Sequence, residues 1–201
     1  MNPSTQHPDA ESSRLGMWLF LFSELLLFGG LFVIFAVYLQ RYPSQFADGG
    51  RELNLYFGTG NTVLLLTSSL TVALSLEALR RNRLRLCQAF LSFTVLAALL
   101  FLINKGLEWH AKFQHGLYPG SPTLRQAPVG HELFFGLYYL TTGLHGLHVF
   151  IGGAILTWIL ALVRQGRITA ASPTVLENGA LYWHLVDVIW IFIFPLYYLL
   201  L

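Results

Sequence analysis

The residues with chemistry to offer are few, and most of them stand in apolar company. His145 and His148 lie three apart in the run Thr142-Gly-Leu-His-Gly-Leu-His-Val149. Two imidazoles at that spacing share a helix face and suit haem iron or, with an acid partner, a non-haem metal. Glu24 and Asp187 are carboxyl groups in equally apolar surroundings, and His184 stands one turn before Asp187. A carboxylate-bridged di-iron bundle needs Glu-x-x-His on two helices and further glutamates on two more, a pattern this sequence lacks. The competing reading is that the histidines are buried structural groups, and no metal ligand is assigned. A single cysteine, Cys87, excludes an internal disulfide framework, a Cys-x-x-Cys-His haem attachment and thiolate-held redox metals.

These residues must be positioned by membrane helices. Of 201 residues 55% are hydrophobic and 11% charged, about half the charge fraction of a soluble domain. The net charge of +2 is dispersed and offers no basic face for nucleic acid. Since about 20 apolar residues cross the hydrocarbon core, five spans are expected, near 15–39, 53–77, 86–110, 131–163 and 179–201, behind a polar tail at 1–14. The expected fold is all-α, a bundle of five transmembrane helices. No removable signal peptide is expected, because the tail is polar and no small-residue cleavage site follows a short apolar core.

Basic residues suggest an orientation. Arg14, the cluster Arg80, Arg81, Arg83 and Arg85, and Arg164 with Arg167 put seven on one side, against five on the other: Arg41, Arg51, Lys105, Lys112 and Arg125. The positive-inside rule then predicts a cytoplasmic amino terminus and a periplasmic carboxyl terminus. Trp18, Trp109, Trp158 and Trp183 fall near span ends, as interfacial anchors would, and Trp190 does not. Small and polar residues form stripes, Gly58, Asn61, Ser68 and Ser75 on the second span and Gly136, Gly143, Gly146 and Gly153 on the fourth. Helix packing is the expected use, with Asn61, Ser68, Gly143 and Gly146 as contacts, against the alternative of a substrate path. The third connection, with Pro119, Pro122 and Pro128, has room for a folded-over structure.

An ionisable group inside the membrane costs on the order of 2.5–3.5 kcal/mol on insertion scales, which makes Glu24 and Asp187 informative. Helical rise puts them about 14 and 12 Å from the ends of their spans that share a side, and places His145 and His148 about 18–22 Å from the opposite end of theirs. The depths overlap. Glu24 is therefore expected to turn inward and hydrogen-bond one histidine, His148 before His145, while Asp187 is satisfied around His184. Such a network either handles protons or pins helices together, and the residues alone leave both open. Two rival classes are a small secondary transporter, which should show broken helices near a midplane site, and a b-type haem membrane protein, which needs axial histidines on facing helices.

The motifs together resemble subunit III of the haem–copper terminal oxidases. Trp18-Leu-Phe-Leu-Phe-Ser-Glu24 is similar to that family's acid-bearing helix, and Asn61 to Ser69, followed by the arginine-rich turn, to its next. His145-Gly-Leu-His148 and Tyr182-Trp-His184-Leu-Val-Asp187 resemble its two C-terminal motifs. The resemblance covers all five spans. It implies a non-catalytic subunit without haem or copper of its own, packed on the catalytic subunit I that carries both, in a complex with subunit II and other respiratory subunits that reduces oxygen to water. It implies support of proton uptake and of stability during turnover through Glu24, His145, His148, His184 and Asp187. It also implies bound phospholipid, with Arg80, Arg81, Arg83 and Arg85 as candidate headgroup contacts, and a bacterial inner membrane. Many members have seven helices, and this sequence matches from the third onward.

Overall fold

The computed structural model describes residues 8–199, with side chains from Leu15 onward; residues 1–7 of the expected tail, the side chains of residues 8–14 including Arg14, and Leu200 and Leu201 lie outside the described residues. Seven helices follow in order: α1 (Pro8–Arg41), α2 (Pro43–Arg51), α3 (Leu55–Arg80), α4 (Leu84–Gln114), α5 (Pro122–Gln126), α6 (Val129–Arg164) and α7 (Thr174–Tyr198). Five of these, α1 from Leu15 onward together with α3, α4, α6 and α7, are long and apolar enough to cross a membrane. The protein is a multi-pass membrane protein.

Local chemistry sets the ends. Asn54 caps α3 through its side chain, which accepts from the Tyr56 backbone N–H at 2.9 Å. The α3–α4 turn is tight because Asn82 takes φ 58°, a left-handed conformation that asparagine tolerates better than most residues. Gly116 and Gly166 close α4 and α6 at φ 70° and 71°. Beyond them the N–H of Leu117 reaches back to the Lys112 carbonyl, and that of Arg167 to Leu162, each at 3.0 Å. These are the paired returns that satisfy the last carbonyls of a helix.

Helix ends differ from the apolar runs where charges find partners. α7 begins at Thr174 rather than near 179, because a helix that projects from the hydrocarbon can carry Glu177, whose Oε1 accepts from Arg80 Nη2 at 2.7 Å. The described part of α1 reaches back to Pro8, inside the expected tail. The first connection contains α2, amphipathic and too short to cross, which presses Phe46 onto Phe134 and Phe35.

Packing arranges α3, α4, α6 and α7 as a ring in which each helix touches two others in the cyclic order α3, α4, α6, α7. α1 lies outside it, against α6 and α7, and among the described residues makes no comparable contact with α3 or α4. Gly58, Asn61, Leu65, Ser68, Val72 and Ser75 form the buried face of α3. Across it α7 sends two indoles, Trp183 Nε1 to Ser68 Oγ and Trp190 Nε1 to Thr62 Oγ1, both at 3.0 Å. Trp183 is therefore a core residue, not an interfacial anchor: its ring is fully buried and its N–H is satisfied by another helix rather than by headgroups. Trp18 and Trp158 do face outward.

The glycines of α6 divide. A Cβ at Gly143 would stand 3.1 Å from the Trp109 ring, and one at Gly153 3.4 Å from Ala98, whereas Gly146 and Gly136 have open space beside them. The packing role expected of Gly146 is thus corrected, since crossing helices approach closely over only part of their length. The α6 glycine set against α7 is instead Gly152, where a Cβ would come within 2.9 Å of the Trp183 ring. Gly152→Ala should lower the thermal stability of the purified protein in detergent by an amount equivalent to about 1–3 kcal/mol. Gly146→Ala, measured alongside, should leave it nearly unchanged.

Candidate functional site

Two polar clusters lie among the helices, one seen in the sequence motifs and one not. In the first, α1 presents Glu24 to α6. Glu24 Oε2 lies 2.9 Å from His148 Nε2, with both side chains mostly buried. The oxygen has no donor aligned on it, so this is a close pair rather than an aligned hydrogen bond. His148 Nδ1 lies 2.7 Å from the Leu144 carbonyl, a contact that requires a proton on Nδ1 and leaves Nε2 facing the carboxyl. Phe28 meets the imidazole edge-on at 5.4 Å, and the Tyr182 hydroxyl donates to the His148 carbonyl at 3.2 Å. The pair sits at the side of an apolar cleft of about 600 Å³ between α1, α6 and α7.

The other expected members are placed differently. His145 is fully buried between Phe101 and Trp190, at ring distances of 5.4 and 5.1 Å, and neither of its nitrogens has a partner among the described residues. His145 and His148 thus face different neighbours, despite their shared motif. His184 pairs with α3 rather than with Asp187: its Nδ1 is 2.7 Å from Ser69 Oγ. Both oxygens of Asp187 are buried without a hydrogen-bond partner among the described residues, although Ser69 lies within electrostatic reach. The expectation that Asp187 is satisfied around His184 is therefore corrected. The His184 Nδ1 is taken by the Ser69 hydroxyl on α3, which turns the imidazole from the carboxyl on its own helix.

Among the described residues, no three His, Cys, Asp or Glu side chains are grouped to hold a metal ion. With the geometry in view, comparison with known proteins is decisive: the family described as cytochrome c oxidase subunit III matches residues 5–200. The chain belongs to that family. It is 32% identical to cytochrome c oxidase subunit 3 of Thermostichus vulcanus over 97% of this chain and 90% of that one. It is 33% identical to the subunit of that name from Synechocystis sp. over 96% and 77%. Cytochrome bo(3) ubiquinol oxidase subunit 3 of Buchnera aphidicola is 26% identical over 98% and 92%. As a subunit III, the chain is a non-catalytic component of a haem–copper oxidase and associates with other subunits of such an enzyme.

In this subunit III the second polar cluster was not expected. Lys105 and Glu108 on α4 are 4% and 2% exposed. The ammonium donates to Glu108 Oε2 at 2.9 Å, to the Tyr138 hydroxyl at 2.9 Å and to the Tyr198 hydroxyl at 2.8 Å. Tyr198 in turn donates to Glu108 Oε1 at 2.7 Å. The rings of Tyr138, Trp190 and Tyr198 lie 4.6, 5.5 and 5.4 Å from Nζ, a cage of aromatic faces around a cation. Further along α4, buried Lys112 donates to the backbone carbonyl of Glu52, whose carboxyl lies 3.2 Å from His131 Nε2. Lys105 and Lys112 are therefore not solvated basic residues of one side, and buried acids are not confined to Glu24 and Asp187. The signal in the sequence is Lys105-x-x-Glu108, opposite charges one helical turn apart, which neutralise each other and let an apolar helix continue past its first charge.

The arginine cluster forms an exposed rim: Arg80 pairs with Glu177, Arg81 with Glu77 at 2.6 Å, and Arg83 and Arg85 point outward. Exposed pairs of this kind contribute little to stability. The Lys105 cluster differs, because removing one partner strands a buried charge, typically at about 3–5 kcal/mol, whereas replacing both costs much less. Glu108→Leu should sharply lower thermal stability and yield. Lys105→Met combined with Glu108→Leu should recover most of the loss, read as the unfolding temperature in detergent.

Proposed function

We propose that this subunit supports proton supply to the neighbouring catalytic subunit I through the Glu24–His148 pair, and that it stabilises that subunit during turnover while holding lipid against it. The observation that carries this reading is the 2.9 Å approach of a carboxyl and an imidazole at the side of an apolar cleft. The two groups share a proton site in hydrocarbon, where water offers none. His184, Asp187 and His145 extend the polar inventory of the same half of the bundle, and the exposed Arg80, Arg81, Arg83 and Arg85 suit phospholipid headgroups at its rim. Haem and copper belong to subunit I in this reading, and subunit II completes the core of the complex. One amino-acid change separates proton handling from pinning. Glu24→Gln keeps shape and a hydrogen bond to His148 but cannot carry a proton. In the assembled oxidase it should slow proton uptake and shorten the active lifetime several-fold while subunit content is unchanged; unchanged uptake and lifetime would refute the proton role.

The proposed orientation is amino terminus in the cytoplasm of a bacterial inner membrane and carboxyl terminus in the periplasm. Burial of Lys105 and Lys112 supports it. Without them the side opposite the arginine cluster retains three basic residues, Arg41, Arg51 and Arg125, against seven. In intact cells, a cysteine placed by Arg83→Cys in a Cys87→Ala background should resist an impermeant thiol reagent and react after the membrane is opened. Labelling from outside would reverse the orientation.

A further inference from the structure

We propose that the cleft between α1 and the α6–α7 pair is a binding site for an isoprenoid quinol: an uncharged, planar, hydrogen-bonding head on an apolar tail. The cleft holds about 600 Å³, within the range of roughly 300–1,000 Å³ typical of small-molecule sites. It spans eight residues of α1, Met17 to Glu24, or about 10 Å of helix. Its walls are apolar, and three aromatic side chains, Phe20, Trp158 and Tyr182, line it. Phe20 stacks on Tyr182 at 5.9 Å with planes 27° apart, while Phe20 and Trp158 remain 41% and 56% exposed. Flat exposed rings offer stacking to a flat head rather than to a flexible chain.

The polar end of the cleft selects the head. Glu24 Oε2 and His148 Nε2 meet at the wall of the cleft without an aligned hydrogen bond, so the pair presents polar capacity that a saturated acyl chain leaves unmet and a hydroxyl, which both donates and accepts, satisfies. No lysine or arginine lines the cleft among the described residues. A phosphate brought to that depth would face a carboxyl with no cation to offset it, whereas a quinol head carries no charge to desolvate. The assignment is of binding alone, and it goes beyond the proton role because it is read without turnover.

The test uses the assembled oxidase containing this chain and an azido-substituted, short-tail ubiquinone analogue, with attachment mapped by mass spectrometry. Label should concentrate on α1 and α7 residues of the cleft. Excess decylubiquinol should displace it, and an equal excess of phosphatidylglycerol or phosphatidylethanolamine should not. Glu24→Leu, which removes the acceptor, and Phe20→Ala, which removes a stacking face but leaves Glu24 and His148 in place, should each cut specific labelling at least fivefold. If the Glu24 variant fails to assemble, the Phe20 variant decides. Displacement by phospholipid as effective as by quinol would make the cleft an acyl-chain site and overturn the proposal, as would labelling that neither variant changes.

Discussion

Hydrocarbon offers a polar side chain no partner, so each such group in this subunit must be satisfied by its own helix or a neighbouring one, or remain unpaired at a cost. Most of the architecture follows from how that demand is met. Helix α7 is held to α3 by Trp183 on Ser68 and Trp190 on Thr62, and to α6 by Tyr197 beside Thr141 at 3.0 Å. Thr71 of α3 lies 2.8 Å from Thr94 of α4. These contacts run between neighbours in the ring of α3, α4, α6 and α7, and they place its polar side chains inward while leucine, valine and phenylalanine cover the outside. Apolar packing alone distinguishes poorly among helix faces when the solvent is itself apolar, whereas a hydrogen bond across an interface fixes which residues meet.

Helix α1 obeys the same demand with a single ionisable group. From Leu15 to Gln40 its only charged residue is Glu24, and its outer face carries exposed Leu19, Phe22, Leu26 and Val33. It touches only two members of the ring, and its polar bond to them runs through His148. Phe28 and Phe35 pack the rest of its inner face, Phe35 against Tyr197 at 4.7 Å. A helix attached along one side leaves a gap wherever its partners diverge, and the cleft at Glu24 occupies such a gap. The pair that fixes α1 is thus also the pair exposed to whatever enters from the lipid.

The five spans were legible in the sequence because apolar length is a one-dimensional property, and the stripe on α3 was legible because its polar members repeat on one helix face. Glu24 and His148 could be matched through depth arithmetic. Lys105 and Glu108 were hidden for a physical reason: counting basic residues by side treats each charge as solvated, and these two solvate each other together with Tyr138 and Tyr198. His184 was assigned to Asp187 because spacing along a chain reveals neighbours on the same helix, while Ser69, 115 positions away, is a neighbour only once α3 and α7 are packed. The glycines of α6 show the same limit: periodicity identifies a face, but the crossing of two helices decides which residue on it touches.

The placement of the two polar clusters bears on how the subunit avoids short-circuiting the membrane it spans. Glu24 and His148 lie in the half near the arginine rim, Lys105 and Glu108 in the half near the opposite connections, and α6 carries Tyr138, Thr141, His145 and His148 along the distance between them. A continuous chain of hydrogen bonds along that stripe would offer protons a path across. His145 stands at the midpoint, walled by Phe101 and Trp190, and neither nitrogen is hydrogen-bonded to a described residue. Trp190, whose ring closes one side of His145 and also faces Lys105, has its own N–H turned away to Thr62. The stripe is therefore interrupted by aromatic carbon where it would need a relay.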